Sequence, residues 1–268
     1  MIKKYRFLIA RRFTQLSIIA LYILANIYGI NILMGNLSSS LVLQTVPLSD
    51  PFAVLQMIFA GAIISFDIAL GALIISIFYF ILGGRAFCSW VCPVNIITDS
   101  ANYLRRVLKF DEVQKKQPAT RNLRYWLILI SFIISYFMGV AAFELISPVS
   151  MVHRGLIFGL GFGLATMIVI FLFDLFVLKN GWCGHICPLG GFYSLIGRFS
   201  LLRVHHNSEK CTACMKCKVV CPEIQVLHMI DKSSEPVLQE CTLCARCIEV
   251  CEDDALNFEL RNYMKEKK

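Results

Sequence analysis

Four long apolar stretches alternate with polar segments along the chain up to residue 178. A helix needs about 20 apolar residues to cross the hydrocarbon core of a bilayer, and each stretch reaches that length. They run from Leu16 to Met34, from Phe52 to Leu82, from Tyr125 to Ile146 and from Leu156 to Leu178. The pattern predicts an α-helical membrane protein with four transmembrane helices, arranged as two duplicated hairpins.

Composition and charge agree with a membrane protein, since 57% of the 268 residues are hydrophobic and 16% are charged. Five Lys or Arg precede the first stretch, eight lie within 83–124 and twelve follow the fourth stretch, whereas the two other connections hold only Arg154. The positive-inside rule then predicts a multi-pass protein of the bacterial inner membrane with both termini in the cytoplasm. Basic residues that flank apolar stretches in this way argue against nucleic acid as a partner.

Two successive C-x2-C-x2-C-x3-C runs lie near the C-terminus. Bacterial ferredoxins hold two [4Fe–4S] clusters with this spacing, and the fourth cysteine of each run ligates the other cluster. We therefore predict a transmembrane domain over 1–204 and a small α+β dicluster ferredoxin-like domain over 205–268. His205 and His206, just ahead of the first cysteine run, are expected to form a polar linker, and contact with the cluster or with lipid headgroups is the alternative. The expected ligands are Cys211, Cys214, Cys217 and Cys251 for one cluster, and Cys241, Cys244, Cys247 and Cys221 for the other. Paired zinc sites are the alternative, because C-x2-C pairs also bind zinc.

A second cysteine system repeats within the apolar part, as F-C-S-W-V-C-P at 87–93 and W-C-G-H-I-C-P at 182–188. Cysteines at i and i+4 share one face of a helix, so each motif is expected to present two thiols together. Three interpretations stay open: a third [4Fe–4S] cluster, redox-active or partner-docking thiol pairs, and buried structural cysteines. The cysteines concerned are Cys88, Cys92, Cys183 and Cys187.

The four apolar stretches, the two C-x3-C-P motifs and the two cysteine runs together resemble the ferredoxin-type NapH family. One departure is Glu252, which follows the last cysteine where proline is usual. The MauN-like proteins share the architecture, and the NosR and CcoG/RdxA-type proteins carry it with additional domains.

The resemblance implies a quinol dehydrogenase component that draws on the membrane quinone pool. Its electrons would pass to a periplasmic iron–sulfur protein of the NapG type, and from there to a periplasmic nitrate reductase. A cytoplasmic ferredoxin-type protein is a further expected partner. The CcoG-like relatives imply the alternative, a membrane-bound ferredoxin that acts in assembly or maturation of a metalloenzyme.

Quinol oxidation requires groups that take up protons, and ionisable residues within apolar stretches are rare and usually functional. Glu144 and His153 lie close in sequence, next to Arg154. We expect His153 to bond a quinol oxygen and Glu144 to accept a proton. Asp67 and Asp174 are further ionisable residues within the stretches. Ordinary residues at the membrane surface are the alternative interpretation.

Overall fold

The computed structural model describes residues 5–110, 122–159 and 161–261. By compactness the chain divides into two units. The ferredoxin unit comprises the described residues of 1–14, 78–91 and 193–268, and the apolar-helix unit comprises those of 15–77 and 92–192.

The prediction of four transmembrane helices is wrong. Among the described residues one helix, Arg6–Tyr28, is long and apolar enough to cross a membrane. Its 23 residues extend about 34 Å at 1.5 Å per residue. The other apolar helices have 10–17 residues and are too short: Phe66–Leu82, Leu123–Met138 and Gly163–Val177. Without those spans the multi-pass topology has no support, and the count of basic residues between them no longer places the termini.

Local sequence explains why the long apolar stretches are interrupted. The second stretch divides into a helix over Pro51–Phe59, which Asp50 caps through its side chain, and a helix over Phe66–Leu82. The third stretch breaks at Gly139, whose left-handed φ of 68° ends the helix Leu123–Met138. Hydropathy averaged over a window does not detect the cap at Asp50 or the left-handed Gly139, because capping and backbone conformation depend on single residues.

The apolar-helix unit also contains a three-stranded antiparallel meander. Its strands follow one another in chain order and are Leu33–Gly35, Ser39–Val42 and Val46–Ser49. Its other helical segments include Val94–Val107, Ala142–Ile146, Pro148–Phe158 and Gly161–Leu172, with π-helical turns over Phe173–Val177 and Trp182–Ile186. Phe52 is fully buried at its centre, where the rings of Phe132, Phe143 and Phe192 lie 5.3 to 5.7 Å from it, centroid to centroid.

The ferredoxin unit has α+β character. Strand Leu202–His206 pairs antiparallel with Leu256–Leu260, so that His206 faces Leu256 in the register. The expected polar linker at His205 and His206 is therefore wrong, since both histidines belong to a strand. The short helical segments of this part are Ala86–Trp90, Lys216–Val220, Ile224–Leu227 and Arg246–Glu249, and the helix Pro188–Gly197 leads into it.

Candidate functional site

Two pockets in the ferredoxin unit are each lined by four cysteines. The Cys211 pocket is lined by Cys211, Cys214, Cys217 and Cys251. The Cys241 pocket is lined by Cys221, Cys241, Cys244 and Cys247. Each pocket thus draws three cysteines from one run and the fourth from the other. Within the described ranges there is no group of three or more His, Cys, Asp or Glu side chains that would hold a single metal ion.

The two runs share an unusual backbone conformation. In each run the residues on either side of the second cysteine are left-handed, with φ between 53° and 58°. These residues are Ala213 and Met215 in the first run, and Leu243 and Ala245 in the second. Left-handed backbone is unfavourable for residues that carry a Cβ atom, so its repetition marks a shape that the surroundings impose. It wraps each C-x2-C-x2-C segment around one pocket.

Burial controls the acidity of the pocket thiols. It raises the pKa of Cys241 to about 12, and the neighbouring Cys244 acts in the same direction. The Leu243 N–H, 3.4 Å from Cys241 Sγ, and the cations Arg85 and Arg203 oppose this rise. Burial likewise raises the pKa values of Cys217, Cys221 and Cys247. Buried thiolates need positive charge beside them, and the irons of a cluster supply it, so the residues fit a [4Fe–4S] group.

A buried ion pair borders the Cys241 pocket. Glu223 lines the pocket, and Arg85 Nη1 donates to Glu223 Oε1 at 2.9 Å and to Glu240 O at 2.7 Å. Gln225 Nε2 donates to Glu223 Oε2 at 2.9 Å. Sequence reasoning missed this pair because nothing in the chain links positions that are 138 residues apart.

His206 borders the Cys211 pocket, as the Arg85–Glu223 pair borders the Cys241 pocket. It lines that pocket, is fully buried, and its Nδ1 lies 2.8 Å from Ser233 O. The sequence shows that His206 lies just ahead of the first cysteine run, but it does not show that the strand of His206 pairs with Leu256–Leu260.

In both C-x3-C-P motifs the helical segment ends before the second cysteine. Cys88 lies within Ala86–Trp90, and Cys183 lies within the π-helical turn Trp182–Ile186. Both first cysteines are half-buried. The second cysteines, which are buried, are Cys92 and Cys187. Neither helical segment extends over both cysteines of its motif, and the expectation that each motif presents two thiols together stays a prediction.

Glu144 and His153 lie in one polar cluster of the apolar-helix unit. Glu144 Oε1 accepts hydrogen bonds from Ser38 Oγ at 2.5 Å and from Ser150 Oγ, and Ser150 precedes His153 by one helical turn. The His153 ring meets the edge of the Tyr22 ring at a centroid distance of 4.8 Å. Its Nε2 is buried and has no hydrogen-bond partner among the residues that the structure describes. Tyr22 is a member of the cluster that the apolar pattern concealed.

Burial keeps His153 neutral. The side chain is 2% exposed, and this burial, with Arg154 adding to it, lowers the pKa of His153 to about 4. A neutral imidazole carries one donor and one acceptor nitrogen, so Nε2 is free to bond a ligand oxygen in either role. Arg154 itself is exposed.

The two aspartates of the apolar stretches have opposite environments. Asp67 is exposed in the first turn of the helix Phe66–Leu82. Asp174 is fully buried, and its Oδ1 accepts a hydrogen bond from Trp182 N at 3.0 Å. Burial raises the pKa of Asp174 to about 7, although two backbone N–H bonds and Arg105 lower it. Asp174 can therefore exchange a proton near neutral pH.

Comparison with known proteins identifies the family. A family model described as a 4Fe-4S binding domain matches residues 54–111 and 160–205, once around each C-x3-C-P motif. A model described as a 4Fe-4S dicluster domain matches residues 203–252. The ferredoxin-type protein NapH of Haemophilus influenzae is 41% identical over 262 residues, which cover 96% of this chain and 90% of that protein. The chain belongs to the ferredoxin-type NapH/MauN family.

Other members agree with this. The ferredoxin-type protein NapH of Escherichia coli is 39% identical, over 97% of this chain and 91% of its own length. The methylamine utilization ferredoxin-type protein MauN of Methylorubrum extorquens is 41% identical, over 81% and 75%. No solved structure matches. The chain is thus a ferredoxin-type iron–sulfur electron-transfer protein, which confirms the predicted resemblance and favours iron–sulfur over zinc.

Proposed function

We propose that this NapH/MauN family member carries two [4Fe–4S] clusters, takes electrons from a quinol and passes them to an iron–sulfur partner protein. The observation that carries the proposal is the crossed lining of the two pockets. Each pocket is lined by four cysteines, the number that a [4Fe–4S] cluster requires. Three of the four belong to one cysteine run and the fourth belongs to the other run. A cluster bound there supplies one-electron exchange.

The linings of the two pockets support the following ligand sets. Cys211, Cys214, Cys217 and Cys251 would hold one cluster, and Cys221, Cys241, Cys244 and Cys247 the other. The proposal predicts about eight iron atoms per chain, four for each cluster. A content of about twelve would instead assign a third cluster to Cys88, Cys92, Cys183 and Cys187.

The polar cluster around Glu144 and His153 supports a quinol as the electron donor. Quinol oxidation releases two protons, so the site needs a hydrogen-bond partner for the quinol oxygen and a group that accepts a proton. The neutral His153 ring, whose Nε2 has no hydrogen-bond partner within 5–110, 122–159 and 161–261, suits the first role. The Glu144 carboxylate, held by the hydroxyls of Ser38 and Ser150, suits the second.

Attachment to the bacterial inner membrane belongs to the same proposal and rests on the helix Arg6–Tyr28. Only 17% of its apolar window is buried. Ile9, Phe13 and Leu16 are 55%, 72% and 58% exposed. Apolar surface of this kind is stable against lipid rather than water.

The likeness to NapH proteins supports an acceptor chain that leads through a NapG-like periplasmic iron–sulfur protein to a periplasmic nitrate reductase. The MauN relatives are named for methylamine utilization, so members of the family are named for more than one process. Electron donor and acceptor are therefore separate parts of the proposal, and each is tested by itself.

The decisive experiment follows cluster reduction by a quinol. The protein is purified anaerobically into lipid nanodiscs, a menaquinol analogue is added, and electron paramagnetic resonance records reduced [4Fe–4S] signals. We expect reduction in the wild type, and slower reduction at unchanged iron content in Glu144→Gln and His153→Phe. The matched control is Glu235→Gln, which alters an exposed carboxylate in the ferredoxin unit.

Two results would count against the donor assignment. Clusters that dithionite reduces and the quinol does not would favour the alternative function, a ferredoxin for metalloenzyme maturation. Wild-type rates in both Glu144→Gln and His153→Phe would remove the proposed quinol site.

A further inference from the structure

The first C-x3-C-P motif is hydrogen-bonded to the loop that follows Cys241. Ser89 Oγ donates to Thr242 O at 2.6 Å, and Trp90 Nε1 donates to Leu243 O at 3.1 Å. Ser89 and Trp90 stand between the two cysteines of the motif, and Ser89 is fully buried. The residues between the thiols therefore have contacts of their own, directed at one of the two cysteine pockets.

These contacts reach a ligand sulfur through one peptide group. The carbonyl of Thr242 and the N–H of Leu243 belong to the same peptide, and that N–H donates to Cys241 Sγ at 3.4 Å. A hydrogen bond to a peptide oxygen polarises the group and strengthens its N–H as a donor. Ser89 is thus connected to the Cys241 sulfur by two hydrogen bonds in series.

The Cys211 pocket has a different arrangement at the corresponding position. Thr212 corresponds to Thr242 in the alignment of the two runs. Its N–H and its hydroxyl both donate to the carboxylate of the half-buried Asp253, at 3.3 and 2.6 Å. At the Cys241 pocket, the carbonyl of Thr242 accepts from the buried, neutral hydroxyl of Ser89. At the Cys211 pocket, the N–H and hydroxyl of Thr212 instead donate to an anionic carboxylate.

We propose that Ser89 is a positioning residue that raises the reduction potential of the [4Fe–4S] cluster in the Cys241 pocket, acting through the Thr242–Leu243 peptide. The inference rests on the proposed two-cluster function. Hydrogen bonds to ligand sulfurs stabilise the more negative, reduced state of a cluster, which raises its potential. Trp90 reinforces the effect, because its bond to Leu243 O fixes the same loop. The motif at 87–93 therefore has a role that does not depend on its thiols.

The test is an anaerobic redox titration followed by electron paramagnetic resonance. Ser89→Ala removes the donor, Trp90→Phe removes the indole N–H, and Ser89→Thr keeps a hydroxyl. We expect a lower midpoint potential for one cluster in the first two variants, a wild-type potential in the third, and no change in the other cluster. Ser100→Ala and Trp126→Phe are matched controls at exposed positions. The ligand variants Cys214→Ala and Cys244→Ala show which signal belongs to which pocket.

The possible outcomes separate the inference from the function on which it rests. If two clusters are present in Ser89→Ala and Trp90→Phe at unshifted potentials, the role of Ser89 is refuted and the two-cluster function stands. A shift of both clusters by the same amount would also refute it, because the contacts reach one pocket. If Ser89→Ala loses its cluster, Trp90→Phe and Ser89→Thr decide by their potentials. A wild type without cysteine-dependent [4Fe–4S] signals would overturn the function itself.

Discussion

Replacing Arg85 with methionine removes the cation of the buried pair beside the Cys241 pocket. Arg85 and Glu223 are 0% and 1% exposed, and Arg85 Nη1 lies 2.9 Å from Glu223 Oε1. Loss of one partner from such a pair leaves a charge buried without compensation and costs about 3–5 kcal/mol. Gln225 still donates to the other carboxylate oxygen of Glu223. We therefore expect the free energy of unfolding to fall by about 3 kcal/mol, the lower end of the range of about 3–5 kcal/mol.

The double variant Arg85→Met with Glu223→Gln separates charge from packing. It removes the stranded carboxylate while keeping its volume, so the greater part of the lost stability should return. Its remaining deficit in the free energy of unfolding reports the hydrogen bond from the charged Arg85 guanidinium to Glu240 O, and such charge-assisted bonds contribute about 1.5–3 kcal/mol. Lys216→Met is the control, because the Lys216–Glu252 pair is 51% and 78% exposed and should leave stability unchanged.

The assay is chemical unfolding of the detergent-solubilised holoprotein, which is monitored through the loss of the cluster absorbance. Wild type, both single variants, the double variant and the control are compared under identical conditions. A double variant no more stable than Arg85→Met, or a control that loses as much as Arg85→Met, would show that burial of the pair has been misjudged.

Three further predictions concern pH and packing. The pKa of Asp174 is about 7 in the folded protein and ordinarily 3.8, so between these pH values the folded protein binds a proton that the unfolded chain has lost. The free energy of unfolding should therefore fall as pH rises from about 4 to about 7, by about 4 kcal/mol in total. Asp174→Asn should abolish this fall in a pH series of unfolding midpoints. The lowered pKa of His153, about 4 against 6.5, gives the opposite slope, a rise of stability up to about pH 6.5 that His153→Gln should remove. Gly84→Ala should unfold the protein, since its Cβ would lie 1.8 Å from Tyr193 O. A Cβ at Gly161 would meet no atom of the described residues within 4 Å, so Gly161→Ala should have a wild-type melting temperature.

The short spacing within each run indicates which three cysteines line a pocket together, and the ferredoxin pattern of two runs indicates that the fourth cysteine comes from the other run. The same spacing could not show that Ala213, Met215, Leu243 and Ala245 are left-handed, since none is a glycine. The repeat of C-x3-C-P was also visible, but the end of each helical segment before the second cysteine was not. That end depends on backbone conformation at single residues.

The membrane prediction failed because hydropathy measures apolar length and not helix length. The stretch Phe52 to Leu82 is predominantly apolar, yet residues 60–65 are not helical. Contacts between distant positions were equally hidden. Tyr22 beside His153 and Arg85 beside Glu223 join residues 131 and 138 positions apart, and no local pattern signals such a pairing.

The crossed cysteine sets have a consequence for how the protein matures. Cys251 belongs to the second run but completes the Cys211 pocket, and Cys221 belongs to the first run but completes the Cys241 pocket. Each loop also carries left-handed residues, at about 1–2 kcal/mol each, which the apoprotein has little reason to retain. In the proposed two-cluster protein, inserting either cluster would fix parts of both runs and would so preform the remaining site. Loading should therefore be cooperative, with chains that hold a single cluster scarce during biosynthesis.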